Sequence, residues 1–170
     1  MHCKGHLITD KLPTEDAIRK ILGQYSEDEP GIKIFEYDWY AIGGRYGGRI
    51  KIKFNPAENE DGYFLFQHRN NKYFISNILN ELGNNILKYD ELDLLKYMGL
   101  NDKVLYVDGG YYEDIINFEL DNCYVVITED EVIPREIWNG DDWIDNENFD
   151  KKISKLSLDG KFITVIDFHY

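Results

Sequence analysis

DGKFITVIDFHY (159–170) closes the chain, and its reading decides the fold. Its β-branched and aromatic residues make it a strand. With a period of two, Phe162, Ile166 and Phe168 share one face, and Ile163, Val165, Asp167 and His169 share the other. The first face is expected to be buried. At the other end, CKGHLIT (3–9) reads as a first strand, with Cys3, Gly5, Leu7 and Thr9 opposed to Lys4, His6 and Ile8.

LPTEDAIRKILG (12–23) predicts a helix opened by Pro13 and Thr14 and ended by Gly23, with Ala17, Ile18, Ile21 and Leu22 as its buried stripe. IKIFEYDWYAI (32–42) and RIKIKF (49–54) predict extended arms flanking a glycine turn, and NPAENEDG (55–62) a polar loop. YFISNILNEL (73–82) and YDELDLLKYMGL (89–100) carry helical spacing. KVLYVDGGYY (103–112) predicts a strand turning at Gly109 and Gly110, and NCYVVITEDEVI (122–133) a strand turning near Glu129–Glu131. WNGDDWIDNEN (138–148) reads as loop, followed by a helix from Phe149 to about Leu156. The order β-α-β-β, a helical middle, then β-β-α-β implies one α+β domain over 1–170. Its sheet would be antiparallel or mixed and packed by helices, with a ferredoxin-like core as one form.

The chain of 170 residues is 43% hydrophobic and 15% aromatic, a globular composition with room for a core. Its net charge of −13 is concentrated in one stretch. Residues 113–150 hold thirteen acids and one base, Arg135, leaving nineteen acids and eighteen bases elsewhere. That field argues against direct nucleic-acid binding, which draws its affinity from Lys and Arg. It offers either a solvated face or a docking face for a basic protein, nucleic-acid mimicry included. The two cysteines, Cys3 and Cys123, make no disulfide framework. No apolar run approaches a membrane span and no leader is evident, so the expectation is a cytoplasmic protein with reduced thiols.

Gly43-Gly44-Arg45-Tyr46-Gly47-Gly48-Arg49 admits two readings. One is an anion grip, with Gly43 and Gly44 offering backbone N–H groups and Arg45 and Arg49 offering donor forks. The other is a hairpin turn with Arg45 paired to an acid such as Asp38. No established phosphate-loop spacing is present. Asp167 and His169, two apart on one strand face, could share a proton or, with His6 from the first strand, hold a metal. The alternative is a frayed terminal strand in water. The C-x-x-C and H-E-x-x-H patterns are absent, and neither a metal nor a cofactor is expected. Trp39, Tyr40, Tyr46, Trp138 and Trp143 could stack on a ring or serve as core and rim.

YDWYAIGGRYGGRI (37–50) resembles the DWY-x-IGGRW signature of a family of small uncharacterised phage and prophage proteins. ITVIDFHY (163–170) looks like that family's terminal LTVVDCHI, and CYVVITEDEVIPREIW (123–138) is similar to its strand and tryptophan segment. Asp38, Trp39, Gly43, Gly44, Arg45, Asp167 and His169 match. Tyr46 stands for the usual Trp, and Phe168 and Tyr170 for Cys and Ile, so a general role for that Cys is in doubt. Residues 55–120 lie outside the resemblance.

Motifs at both ends of one chain imply that the ends meet at one site. Phage accessory proteins of this size often counter host defence signalling, and several classes bind or degrade nucleotide messengers. The expectation is therefore a protein that binds, or binds and cleaves, a phosphate-bearing nucleotide-like molecule. Arg45 and Arg49 would hold phosphate, Trp39 or Tyr46 would stack, Asp38 and His6 would add contacts, and Asp167 and His169 would act as acid and base. The alternative is an acidic inhibitor docking on a basic effector through 113–150. Oligomerisation is left open.

Overall fold

In the computed structural model, residues 1–31, 34–53, 56–58, 64–68, 71–74, 104–120 and 122–170 are described. Among them the elements run β1 (His2–Thr9), α1 (Glu15–Gly23), β2 (Trp39–Ile42), β3 (Ile50–Lys53), β4 (Pro56–Glu58), β5 (Phe64–His68), β6 (Asn71–Phe74) and β7 (Val104–Val107). They continue with β8 (Gly109–Tyr111), β9 (Val125–Ile127), β10 (Val132–Pro134), β11 (Glu136–Trp138), β12 (Trp143–Asp145), α2 (Phe149–Ile153) and β13 (Phe162–His169). The fold is α+β, and the chain groups into two compact units, Met1–Ile50 with Val107–Tyr170, and Lys51–Tyr106.

The first unit is organised by β13. Along one edge it pairs antiparallel with β1 over the full length of both strands, from His2 against His169 to Thr9 against Phe162. Along the other edge β8 takes its first part, and β2 takes the part from Ile166 to His169. Val165 lies between those two partners and is satisfied from both, donating to the Asp108 carbonyl (2.7 Å) and accepting from the Gly43 N–H (2.8 Å). With partners on both edges, β13 is buried from Phe162 to Phe168. The frayed-strand alternative fails on that burial: Asp167 is 2% exposed.

The sheet order is β10-β9-β1-β13-β2, with β8 also on β13. β9 runs parallel to β1 from Gly5 against Val125 to Leu7 against Ile127, so the sheet is mixed. β1, α1 and β2 form a split βαβ unit of the ferredoxin-like kind, with β13 inserted antiparallel between the two parallel strands. β9, bonded parallel to β1, is an addition to that all-antiparallel pattern.

α1 covers one face. Thr14 caps it by accepting from the Ala17 N–H (3.2 Å), and Glu15 and Asp16 sit at the positive end of its dipole. Ile18 and Leu22 pack with Leu7, Ile166, Phe168, Phe35 and Tyr37. Each such aliphatic side chain contributes about 1.5–3 kcal/mol on burial. The opposite face presents His2, Lys4 and His6 of β1 beside Asp167 and His169 of β13.

Three sequence expectations change in this unit. The glycine segment is no hairpin turn: β2 pairs with β13, β3 pairs with β7, and Gly44–Tyr46 form a 3₁₀ turn between them. Gly109 and Gly110 belong to β8, and the chain bends at Asp108. Residues 138–148 are not all loop, because β11 and β12 form an antiparallel hairpin matching Trp138 with Trp143.

In the second unit β4, β5 and β6 form an antiparallel three-stranded sheet. Pro56–Glu58, expected in a loop, and Tyr73–Phe74, expected in a helix, are strand residues. The remainder of the 73–82 helix and the whole 89–100 helix lie outside the described residues.

Candidate functional site

The glycine loop does hold anions, and they are the chain's own carboxylates. The Arg45 N–H donates to Asp167 Oδ2 (2.9 Å), and the Gly48 N–H donates to Asp108 Oδ1 (2.7 Å). Gly43 and Gly44 have φ of +69° and +52°, the left-handed region that glycine tolerates. A Cβ on Gly43 would collide with the Asp108 carboxyl group, and one on Gly44 would lie 2.5 Å from Asp167 Cβ and Oδ2. The glycines are therefore required by two buried or half-buried acids pressed against the backbone. The expected role of Gly43 as a phosphate donor gives way, since its N–H is bonded to Val165.

Asp167 gathers a cluster. Its Oδ1 lies 2.9 Å from His2 Nδ1, and its Oδ2 lies 3.7 Å from Arg45 Nε. Burial would raise this carboxyl, but the Arg45 amide, the His2 ring and the Arg45 charge outweigh it and hold it below the usual carboxylate range. Beside it, His169 Nδ1 meets Asp38 Oδ2 at 2.7 Å, and the Asp38 N–H donates to the His169 carbonyl (3.0 Å). Asp38 also accepts from the Trp39 N–H (2.6 Å). Its carboxyl is likewise lowered, burial being outweighed by the bonds from His169 and Trp39.

An ionised carboxylate only accepts, so in both pairs Nδ1 carries the proton. In the neutral ring this leaves Nε2 as a base. The two imidazoles meet edge to face, 4.7 Å apart, and Trp39 stacks on His169 at 5.2 Å with 10° between planes. Two oriented histidines beside Arg45, whose side chain is 57% exposed, form an arrangement able to accept and return protons.

This places Asp38, Trp39, Gly43, Gly44, Arg45, Asp167 and His169 together. His2 completes the group in the place expected of His6. The register explains the exchange: His2 lies opposite His169, while His6 lies opposite Val165. His6 is 3% exposed, packs on Phe118 (5.1 Å), and has an Nδ1 with no hydrogen-bond partner among the described residues. Burial, helped by the Lys4 charge, pushes its pKa down to about 4, so it is a neutral core histidine. Among the described residues no three His, Cys, Asp or Glu side chains converge as a metal site.

The end of the glycine loop turns into a second feature. Tyr46 and Arg49 line an open cleft of about 750 Å³ together with Lys4, Arg135, Tyr124 and the buried Cys3 and Cys123. Among the described residues no carboxylate lines it. Burial, reinforced by the Arg49 charge, holds the Lys4 ammonium below its ordinary range, and its Nζ donates to Asn122 Oδ1 (3.3 Å). Arg135 is braced by an Nε bond to the Cys123 carbonyl (3.0 Å) and by the Phe149 ring, 4.3 Å below its guanidinium. The Cys3 thiol is pushed up to about 12 by burial and by Asp167, so it sits protonated in the wall. The Tyr46 hydroxyl donates to the His2 carbonyl (3.4 Å), tying the cleft to the histidine cluster. Lys4 and Arg135 were not singled out as ligand residues in the sequence, because no local spacing links positions so far apart.

Compared with family models, curated proteins and solved structures, the chain gives no match. Among the described residues no helix is long and apolar enough to cross a membrane.

Proposed function

We propose that the protein binds a phosphate-bearing, nucleotide-like small molecule in the cleft of Lys4, Arg49 and Arg135. The observation that carries this reading is three cations around one cavity, without a lining carboxylate among the described residues, in a chain of net charge −13. Tyr46 and Tyr124 offer rings for a base, and about 750 Å³ suits a nucleotide-sized ligand. Arg45, expected to grip phosphate, stands beside Asp167 at the histidine cluster instead. The resemblance of the terminal motifs to phage and prophage proteins is what supports a role in countering host defence signalling.

A ligand that is also cleaved would find its acid and base in His2 and His169. Asp167 and Asp38 would then orient those rings and would not exchange protons themselves.

The test is a thermal-shift and calorimetric panel of cyclic nucleotides, nucleotide–ribose compounds and inorganic phosphate, with chromatography to follow turnover. A saturable shift that falls at least tenfold in a Lys4→Gln/Arg49→Gln variant is the expected result. No shift and no turnover across the panel overturns the proposal.

A second reading has its own observation. The β11–β12 hairpin exposes Trp138 (54%), Trp143 (53%) and Ile144 (43%) within a segment, 136–150, that has six acids and no Lys or Arg. Aromatic residues in an acidic rim suit a basic protein partner. Salt-sensitive binding to such a partner, lost when Asp141, Asp142 and Asp145 become Asn, would support it, and retained binding would remove it.

A further inference from the structure

A second cavity, of about 220 Å³, has the opposite chemistry. Glu27, Glu36, Asp38 and Glu136 contribute to its lining, and among the described residues no Lys, Arg or His does. Aromatic rings supply much of the remaining wall, with Tyr37 buried and Trp143 half exposed at 53%. Tyr124 and Tyr170 stand stacked in that wall, 5.8 Å apart with 19° between planes, and the Tyr124 hydroxyl donates to Glu136 Oε2 (3.0 Å).

We infer that this cavity is a binding site for an organic cation, an alkylammonium or guanidinium group. Three properties select that class. Four carboxylates contribute to one small cavity and give it a negative local potential that attracts a cation. The faces of aromatic rings carry partial negative charge and attract a cation held over them. A bare metal ion is a poor occupant, because no three of the described acidic, Cys or His side chains converge on one point. A cation with apolar surface uses the rings and the dispersed carboxylates together. The volume admits the end of a chain and not a nucleotide.

Such a cation has two sources, a free polyamine or the Lys or Arg side chain of another protein. Isothermal titration of the full chain with spermidine, and separately with a short capped peptide holding one Arg, distinguishes them. The expected result is saturable one-site binding of at least one probe at physiological salt. That binding should weaken at least tenfold in Trp143→Ala and in Glu36→Gln, both changes at exposed positions that leave the core intact. An Asp141→Asn/Asp142→Asn variant alters acids outside the cavity and should bind as the parent does. Equal weakening in that variant would assign the binding to the diffuse acidic field and overturn the inference. Absence of saturable binding of either probe would overturn it too. Both outcomes are independent of whether phosphate compounds bind the basic cleft.

Discussion

Two cavities of the first unit share one residue, Tyr124, and agree in little else. One draws Lys4, Arg49 and Arg135 from three distant parts of the chain and has no lining carboxylate among the described residues. The other draws four carboxylates and a set of aromatic rings. Net charge describes neither. The acidic stretch 113–150 contains a single base, Arg135, and that base is braced into the basic cleft by Cys123 and Phe149. The lesson is that local potential is set by where backbone and ring contacts park each charge, and a total of −13 leaves room for a cationic recess.

The largest expected effect breaks the comparison on its basic side. Gly44→Ala forces an alanine to φ +52° and drives a methyl into Asp167, which is 2% exposed. A loss of about 3–5 kcal/mol is expected, read from the urea midpoint. At temperatures where this variant stays folded, phosphate-compound binding should fall while spermidine binding holds.

The next effect separates titration of the fold from titration of the ligands. His6 lines neither cavity and has a folded pKa of about 4 against an ordinary 6.5. The unfolded chain therefore binds the extra proton between those values, so stability is highest above pH 6.5 and declines as pH falls toward 4. At about 1.4 kcal/mol per pH unit the loss is about 3 kcal/mol. The lowered carboxyls of Asp38 and Asp167 lose their contribution only at lower pH, from their ordinary value of 3.8 downward. Denaturant melts from pH 7 to 4 should show the upper decline in the parent and a flattened one in His6→Gln. Ligand binding measured at pH 7 should not follow the histidine.

A smaller change sharpens the comparison at its shared wall. Tyr124→Ala removes one ring from both cavities and should weaken phosphate-compound and spermidine binding together, by roughly tenfold each. Tyr124→Phe keeps the ring and loses the bond to Glu136, at a cost of about 1 kcal/mol in stability and little in affinity. A drop in one ligand alone for Tyr124→Ala would show that the wall is not functionally shared. The smallest effect is a control: Thr14→Ala uncaps α1, lowers stability by about 1 kcal/mol in thermal melts and leaves both affinities unchanged.

What was legible in the sequence follows from how local each signal is. The first and last strands, α1 and the β9–β10 turn rest on period and capping, and they form as expected. The meeting of Arg45 with Asp167 was legible because two motifs flagged both ends of the chain. The histidine that joins them was not. His2 lies just outside the expected first strand, 3–9, and only the pairing of β1 with β13, residue for residue, carries it to His169. The β11–β12 hairpin does carry a local signal, Asn139-Gly140 between two tryptophans, with Gly140 at φ +109°. The run of acids around it resembled a solvated loop. The hairpin alternative for the glycine loop fails because two extended arms do not say which strand each will pair with, and β2 takes β13 while β3 takes β7.

Among the described strands β13 has the most partners, and it is made after all the others. A ribosome working at about 5–20 residues per second finishes it roughly ten to thirty seconds after β1 emerges. Until then β1 lacks its long partner, and neither histidine has its counterpart. Synthesis thus imposes a waiting period during which the β13 edge of β1 stays unpaired, although β9 can already take its other edge. Completion of the sheet and assembly of the His2–His169 cluster coincide.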